Sequence, residues 1–137
     1  MTLAVAGRRG DHRRMSDVLA TCSAGLVFLW GVAHVVPTRQ VVSGFGDISR
    51  DNRLVLTMEW VAEALAMWLV AALVAAVAVG ADEAAARLAY RVCAGFLVVL
   101  AAWTAVTGAR TPVIWFKLCP GVLTLGAGLL VTASLVS

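Results

Sequence analysis

Glu59 and Glu63 lie four residues apart inside an apolar stretch that runs from Leu54 to Gly80. In a helix this spacing puts both carboxyls on one face, with Cβ atoms about 5–6 Å apart. A carboxylate near the centre of a bilayer-spanning helix costs about 2.5–3.5 kcal/mol, so such groups usually face a protein interior. Two negative charges in that setting repel. The spacing therefore predicts that one carboxyl keeps its proton while a cation such as His34, Arg53 or Lys117 holds the other ionised. A proton donor beside a proton acceptor is what general acid/base chemistry requires, and proton-coupled transport requires the same.

Further residues gather toward the same end of the chain's apolar segments. Trp30 and His34 are one turn apart near the end of the first segment, and Asn52 precedes Glu59 by seven residues. Trp103, Thr104 and Thr107 close the third segment, while Arg110, Trp115 and Lys117 open the fourth. The expected catalytic set is Glu59, Glu63, His34 and Asn52, the last two orienting groups or stabilising charge. Trp30, Trp60, Trp103, Trp115, Arg53 and Lys117 are the expected substrate contacts. The same aromatic residues also fit a membrane-interface belt, and the basic ones fit side chains that snorkel to the interface.

No metal site or cofactor is expected. Cys22, Cys93 and Cys119 form no CxxC pair and are read as small buried apolar residues, not as a disulfide framework or a zinc site. The run from Asp47 to Asn52 lacks the later bidentate acid of a calcium loop. Glu-x-x-His motifs of di-iron bundles are absent. Haem is disfavoured because His34 is the one histidine in or beside an apolar segment.

The elements that must position these residues follow from composition. The 137-residue chain is 61% hydrophobic and 14% charged, with mean hydropathy +0.91. That is far from the roughly 25% charge of an average soluble domain. Four segments, 18–36, 54–80, 88–109 and 112–136, reach the ~17–25 residues a helix needs to cross about 30 Å of hydrocarbon. The reading is an all-α membrane protein, an antiparallel four-transmembrane-helix bundle over residues 16–137, preceded by a disordered tail over 1–15. Pro37 ends the first helix. The 37–53 loop contains Gly44 and Gly46 around Phe45, and Asp51 is placed to cap the second helix. Short connections make sequential helices antiparallel neighbours. Small residues repeat every four positions, Ala62 with Ala66 and Ala71 with Ala75, as in closely packed membrane helices.

Charge speaks to orientation and partners. With Met1 as the start, an inward N-terminus puts Arg8, Arg9, Arg13, Arg14, Arg87 and Arg91 inside, against Arg39, Arg50, Arg53, Arg110 and Lys117 outside. Beginning at Met15 removes the first four and reverses the preference under the positive-inside rule. The basic residues flank apolar spans and form no stripe with interleaved aromatics, so nucleic acid is not an expected partner. No A-x-A-like cleavage site follows the first span, which reads as an uncleaved anchor. Ten arginines against one lysine, with abundant Ala, Val and Gly, fit a GC-rich bacterial genome and the bacterial inner membrane.

The stretch from His34 through Pro37, Gly44-Phe45-Gly46 and Asp51-Asn52-Arg53 to Met58-Glu59-Trp60-Val61-Ala62-Glu63 resembles small, uncharacterised bacterial four-helix membrane proteins. That resemblance covers the first two helices and implies no particular activity. In size and helix count the chain is also similar to small multidrug exporters, which use a buried membrane glutamate for proton exchange. That family carries one such glutamate on helix one, whereas here two lie on helix two.

The expected function is a membrane-embedded acid/base enzyme acting on a lipophilic substrate by isomerisation, cyclisation or epoxide opening, with the 37–53 loop as a lid. A proton-coupled exporter of hydrophobic compounds, working as a homodimer, is the alternative. A third is a non-catalytic subunit of a larger membrane complex. Chemistry is preferred to conduction because the polar groups gather toward one face and the other half of the bundle is apolar.

Overall fold

A computed structural model describes the backbone of residues 2–108 and 110–137, and side chains from residue 11 onward except residue 109. Among the described residues five helices follow one another: α1 (Thr2–Val35), α2 (Thr38–Ser43), α3 (Arg50–Gly80), α4 (Glu83–Gly108) and α5 (Ile114–Val136). Four contain stretches long and apolar enough to cross a membrane: Asp11–Val35, Arg50–Gly80, Glu83–Gly108 and Ile114–Val136. The all-α membrane bundle expected from hydropathy is therefore the fold, with α2 as a short addition in the first connection.

Several boundaries differ from expectation, α3 beginning at Arg50, α4 at Glu83 and α5 at Ile114. The segment read as a disordered tail is helical from Thr2, while Met1 lies outside the described residues. Ala, Leu, Arg and Met are good helix formers, and extending a helix already anchored by packing avoids the cost of a new nucleus. The 37–53 loop is shorter than its sequence suggested because α2 occupies its first half and packs on α3. Ser49, not Asp51, caps α3, its hydroxyl accepting from the Asn52 N–H at 3.1 Å. Asp82 does the same for α4, accepting from the Ala84 and Ala85 N–H groups at 3.0 Å.

The four spans form a ring in which α1 touches α3 and α5, and α4 touches α5 and, over a smaller area, α3. Paired contacts run in opposite directions along each partner. On α1 and α5 the Ser16 hydroxyl donates to the Ala133 carbonyl at 2.9 Å and the Ser23 hydroxyl to the Gly126 carbonyl at 2.9 Å. The Trp30 indole donates to the Cys119 sulfur at 3.3 Å. The donors on α1 and the acceptors on α5 each recur every seven residues, which is the 3.5-residue repeat of a left-handed antiparallel seam.

Buried residues keep that repeat elsewhere: Ala20 and Val27 on α1, Met67 and Val74 on α3, Tyr90 and Leu97 on α4, Leu123 and Leu130 on α5. On α3 the buried alanines are Ala64 and Ala71 at seven-residue spacing, while Ala62, Ala72, Ala75 and Ala76 are exposed. The four-residue alanine pairs thus straddle the surface, Ala71 buried and Ala75 exposed, and do not mark the seam. Seven-residue spacing marks the seam. Glycine matters at Gly31, where an added Cβ would lie 2.6 Å from Trp68 Nε1 and 3.3 Å from the Ala64 carbonyl oxygen. This close approach sets the α1–α3 distance one turn before His34.

Candidate functional site

Pro37 has no N–H, and α1 stops at Val35, so the last α1 carbonyls lack helical donors. Side chains supply them. The His34 carbonyl accepts from Trp60 Nε1 at 2.6 Å and from the Thr38 hydroxyl at 3.1 Å, and Thr38 also reaches the Val35 carbonyl at 2.7 Å. This ties the end of α1 to α2 and to the middle of α3. The Trp60 ring stacks on the His34 imidazole at a centroid distance of 5.0 Å and meets Phe116 of α5 edge-on at 5.6 Å.

His34 is buried. Its Nδ1 lies 3.1 Å from the Trp30 carbonyl oxygen, an acceptor only, so that contact is a hydrogen bond when Nδ1 carries a proton. The neutral ring then turns a lone pair on Nε2 toward Glu63, whose Oε1 is 3.8 Å away. Glu63 Oε1 is itself fully buried and has no hydrogen-bond partner among the described residues. The glutamate side chain as a whole keeps 23% of its surface exposed. The site is therefore closed at one carboxylate oxygen and open beside it.

Cys119, on the second turn of α5, completes the cluster. Its sulfur accepts the Trp30 indole N–H, and the sulfur, a His34 ring nitrogen and a Glu63 oxygen lie within 4.8 Å of one another. Trp30 thereby fixes two members at once, the imidazole through its carbonyl and the sulfur through its indole. Pro120 follows immediately inside α5 and gives no N–H to the Phe116 carbonyl one turn back. Such interruptions in membrane helices are tolerated where neighbouring groups serve the freed backbone, and here one adjoins the polar cluster.

Of the expected residues, Glu63, His34, Trp30 and Trp60 come together. The others do not. Glu59 is exposed, and the expected carboxylate pair is not formed in the interior. The end of α1 meets α3 at Ala64, whose carbonyl oxygen is 3.3 Å from a Cβ built on Gly31, and at Trp60, whose indole donates to the His34 carbonyl; Glu59 precedes both on α3, toward its free end. His34 accordingly meets Glu63 and not Glu59. Asn52 and Arg53 are exposed in the first turn of α3, about 15–17 Å along the helix from Glu63. Trp103 and Trp115 are exposed by 67% and 64%, and Lys117 is also exposed. These positions suit membrane-interface anchors better than substrate walls.

Sequence reading missed Cys119 as a site residue, and with it Phe116 and Thr38. A cysteine beside a proline near the start of an apolar helix was the available signal. Comparison with known proteins finds no matching family model, no matching curated protein and no matching solved structure.

Proposed function

We propose that this chain is a membrane-embedded acid/base protein of the bacterial inner membrane that handles a lipophilic small molecule, with Glu63 and His34 as the working pair. The observation that carries the reading is the facing of Glu63 Oε1 and His34 Nε2 at 3.8 Å, on separate helices, with that buried carboxylate oxygen lacking a hydrogen bond among the described residues. An unpartnered buried carboxylate oxygen is costly, and a proton shared between the two groups would satisfy both once they close from 3.8 Å to hydrogen-bond distance. Replacing Glu59 by His34 as the second member keeps a donor and an acceptor side by side. In an isomerisation, ring closure or epoxide opening one group takes a proton from the substrate and the other gives one, so the pair's proton count is unchanged and a proton passed between the two restores the starting state.

Two features favour a site served from one side over a conducting path. Below the cluster, Val27, Met67, Leu97, Leu123, Leu130 and Val74 are completely buried and fill the interior with apolar side chains. The cluster is walled by Trp60 and Phe116, which suit an apolar ligand. Exchange of a proton for a hydrophobic cation is the second reading. It is favoured by Glu63 lying in the cluster without Glu59 beside it.

The test uses detergent-solubilised protein and quenching of tryptophan fluorescence by neutral lipophiles and by lipophilic cations. Binding of neutral lipophiles that weakens in Glu63→Gln and His34→Gln, without proton release to the medium, is the expected result. Proton release on binding lipophilic cations, abolished in Glu63→Gln, selects the exporter. Quenching that is unchanged in both variants removes the site from either function.

A further inference from the structure

We propose that His34, Glu63 and Cys119 form a binding site for a divalent transition-metal ion of the zinc type, with three protein ligands and one open position. The inference goes beyond the acid/base reading and rests on geometry alone.

The three donors come from three helices, α1, α3 and α5, and their ligand atoms lie within 4.8 Å of one another. Around a tetrahedral ion with bonds of about 2.0 Å to nitrogen and oxygen and 2.3 Å to sulfur, ligand atoms stand roughly 3.3–3.5 Å apart. The His34–Glu63 separation of 3.8 Å is within about 0.5 Å of that edge. Closing on the sulfur requires a shift of about 1 Å, within the reach of side-chain rotation.

The surroundings of each donor are those a metal site needs. A metal-binding histidine commonly donates its other ring N–H to a backbone carbonyl, which fixes the tautomer and aims the free lone pair at the ion. His34 has that partner in the Trp30 carbonyl at 3.1 Å. Cys119 receives the Trp30 indole N–H at 3.3 Å, a contact that steadies a thiolate. Glu63 Oε1 is the independent observation: it is fully buried, has no hydrogen-bond partner among the described residues, and faces the histidine. With the Nδ1 proton on the Trp30 side, an ionised Glu63 and the His34 ring oppose lone pair to lone pair. A cation between them resolves this.

Charge balance agrees. One carboxylate and one thiolate against a divalent ion make a neutral site, which an apolar bundle tolerates far better than an isolated charge. Coordination sends the Cys119 thiol proton to the solvent. Mixed nitrogen, oxygen and sulfur donors select zinc-like ions over magnesium or calcium. The partly exposed side of Glu63 supplies the open fourth position, where a bound ion would polarise a substrate oxygen or a water.

The probe is cobalt(II) added to metal-free, detergent-solubilised full-length protein. The expected result is one cobalt per chain, with intense tetrahedral visible bands and a near-ultraviolet sulfur-to-cobalt charge-transfer band, both removed by added zinc. Cys119→Ser should abolish the charge-transfer band, whereas Cys22→Ser, on the exposed face of α1, should leave it unchanged. Glu63→Gln and His34→Gln should each weaken binding at least about tenfold, and Trp30→Phe by about 10–100-fold through loss of the contact to sulfur. Helix content by circular dichroism confirms that each variant folds, and the near-isosteric Cys119→Ser keeps the test decisive if a charge variant does not. Absence of the bands, or bands that survive in Cys119→Ser, would mean an adventitious ion only and overturn the site. Lipophile quenching in the metal-free protein is read separately, so failure of either reading leaves the other standing.

Discussion

Gly31→Ala perturbs the contact that holds the site together. The added Cβ would lie 2.6 Å from Trp68 Nε1 and 2.8 Å from Trp68 Cδ1, against an ordinary separation of about 3.5–4.0 Å. The ring must therefore retreat by about 1 Å. Moving the helix instead is resisted by the Ala64 carbonyl oxygen, 3.3 Å from the same Cβ. Retreat of the ring also breaks the 3.1 Å hydrogen bond from Trp68 Nε1 to the Phe28 carbonyl. Overpacking of this kind costs about 1–3 kcal/mol, and the lost hydrogen bond adds about 0.5–1.5 kcal/mol. The expected destabilisation is thus roughly 1.5–4.5 kcal/mol. Reversible unfolding in mixed micelles, followed by far-ultraviolet circular dichroism, measures it. A double-mutant cycle with Trp68→Ala isolates the cause: if the ring is the obstacle, Gly31→Ala should cost at least about 1 kcal/mol less in the Trp68→Ala background. A change below about 0.5 kcal/mol in Gly31→Ala, or equal costs in both backgrounds, would refute the close approach of α1 and α3 at this level.

Two further outcomes follow from the same geometry. Ser23→Ala removes the buried hydroxyl donating to the Gly126 carbonyl at 2.9 Å and should cost about 0.5–1.5 kcal/mol in the same unfolding assay, whereas Thr132→Ala, exposed and bonded within its own helix, should change stability by less than about 0.5 kcal/mol. Glu59→Gln should leave both lipophile quenching and cobalt affinity within about twofold of the parent, because Glu59 is exposed outside the cluster, and an effect as large as that of Glu63→Gln would show that the two carboxyls share a site after all.

The i, i+4 spacing of Glu59 and Glu63 illustrates the limit of reading a face from one helix. That spacing puts two side chains roughly on the same side, but whether the side is covered depends on where the neighbouring helix stops. Here α1 ends at Val35, just beyond the His34 carbonyl that Trp60 binds, and α3 continues past it toward Arg50. One carboxyl is enclosed and the other is not. The small-residue pattern on α3 behaved in the same way, because chance four-residue spacings are frequent in an alanine-rich helix and only the partner's surface selects the pair that packs.

Cys119 shows the converse. Its sequence neighbourhood carries no ligand spacing, since its companions His34 and Glu63 lie on other helices, and such a cluster exists only once α1, α3 and α5 are placed against one another.

What the sequence determined by itself was the class of fold and the number of spans. Both follow from local physics: about 20 apolar residues cross a bilayer as a helix, backbone polar groups in lipid must be satisfied within the segment, and proline and short polar turns end each span. His34, Glu63, Trp30 and Trp60 were also legible, as polar or aromatic residues where lipid would not favour them. The tertiary structure alone decided which carboxylate is inside, that the histidine faces Glu63, and that a cysteine completes the group. Those facts depend on the relative depth and rotation of separate helices, which are set by a close approach at Gly31, a shared seam at seven-residue spacing between α1 and α5, and side-chain donors at the end of α1.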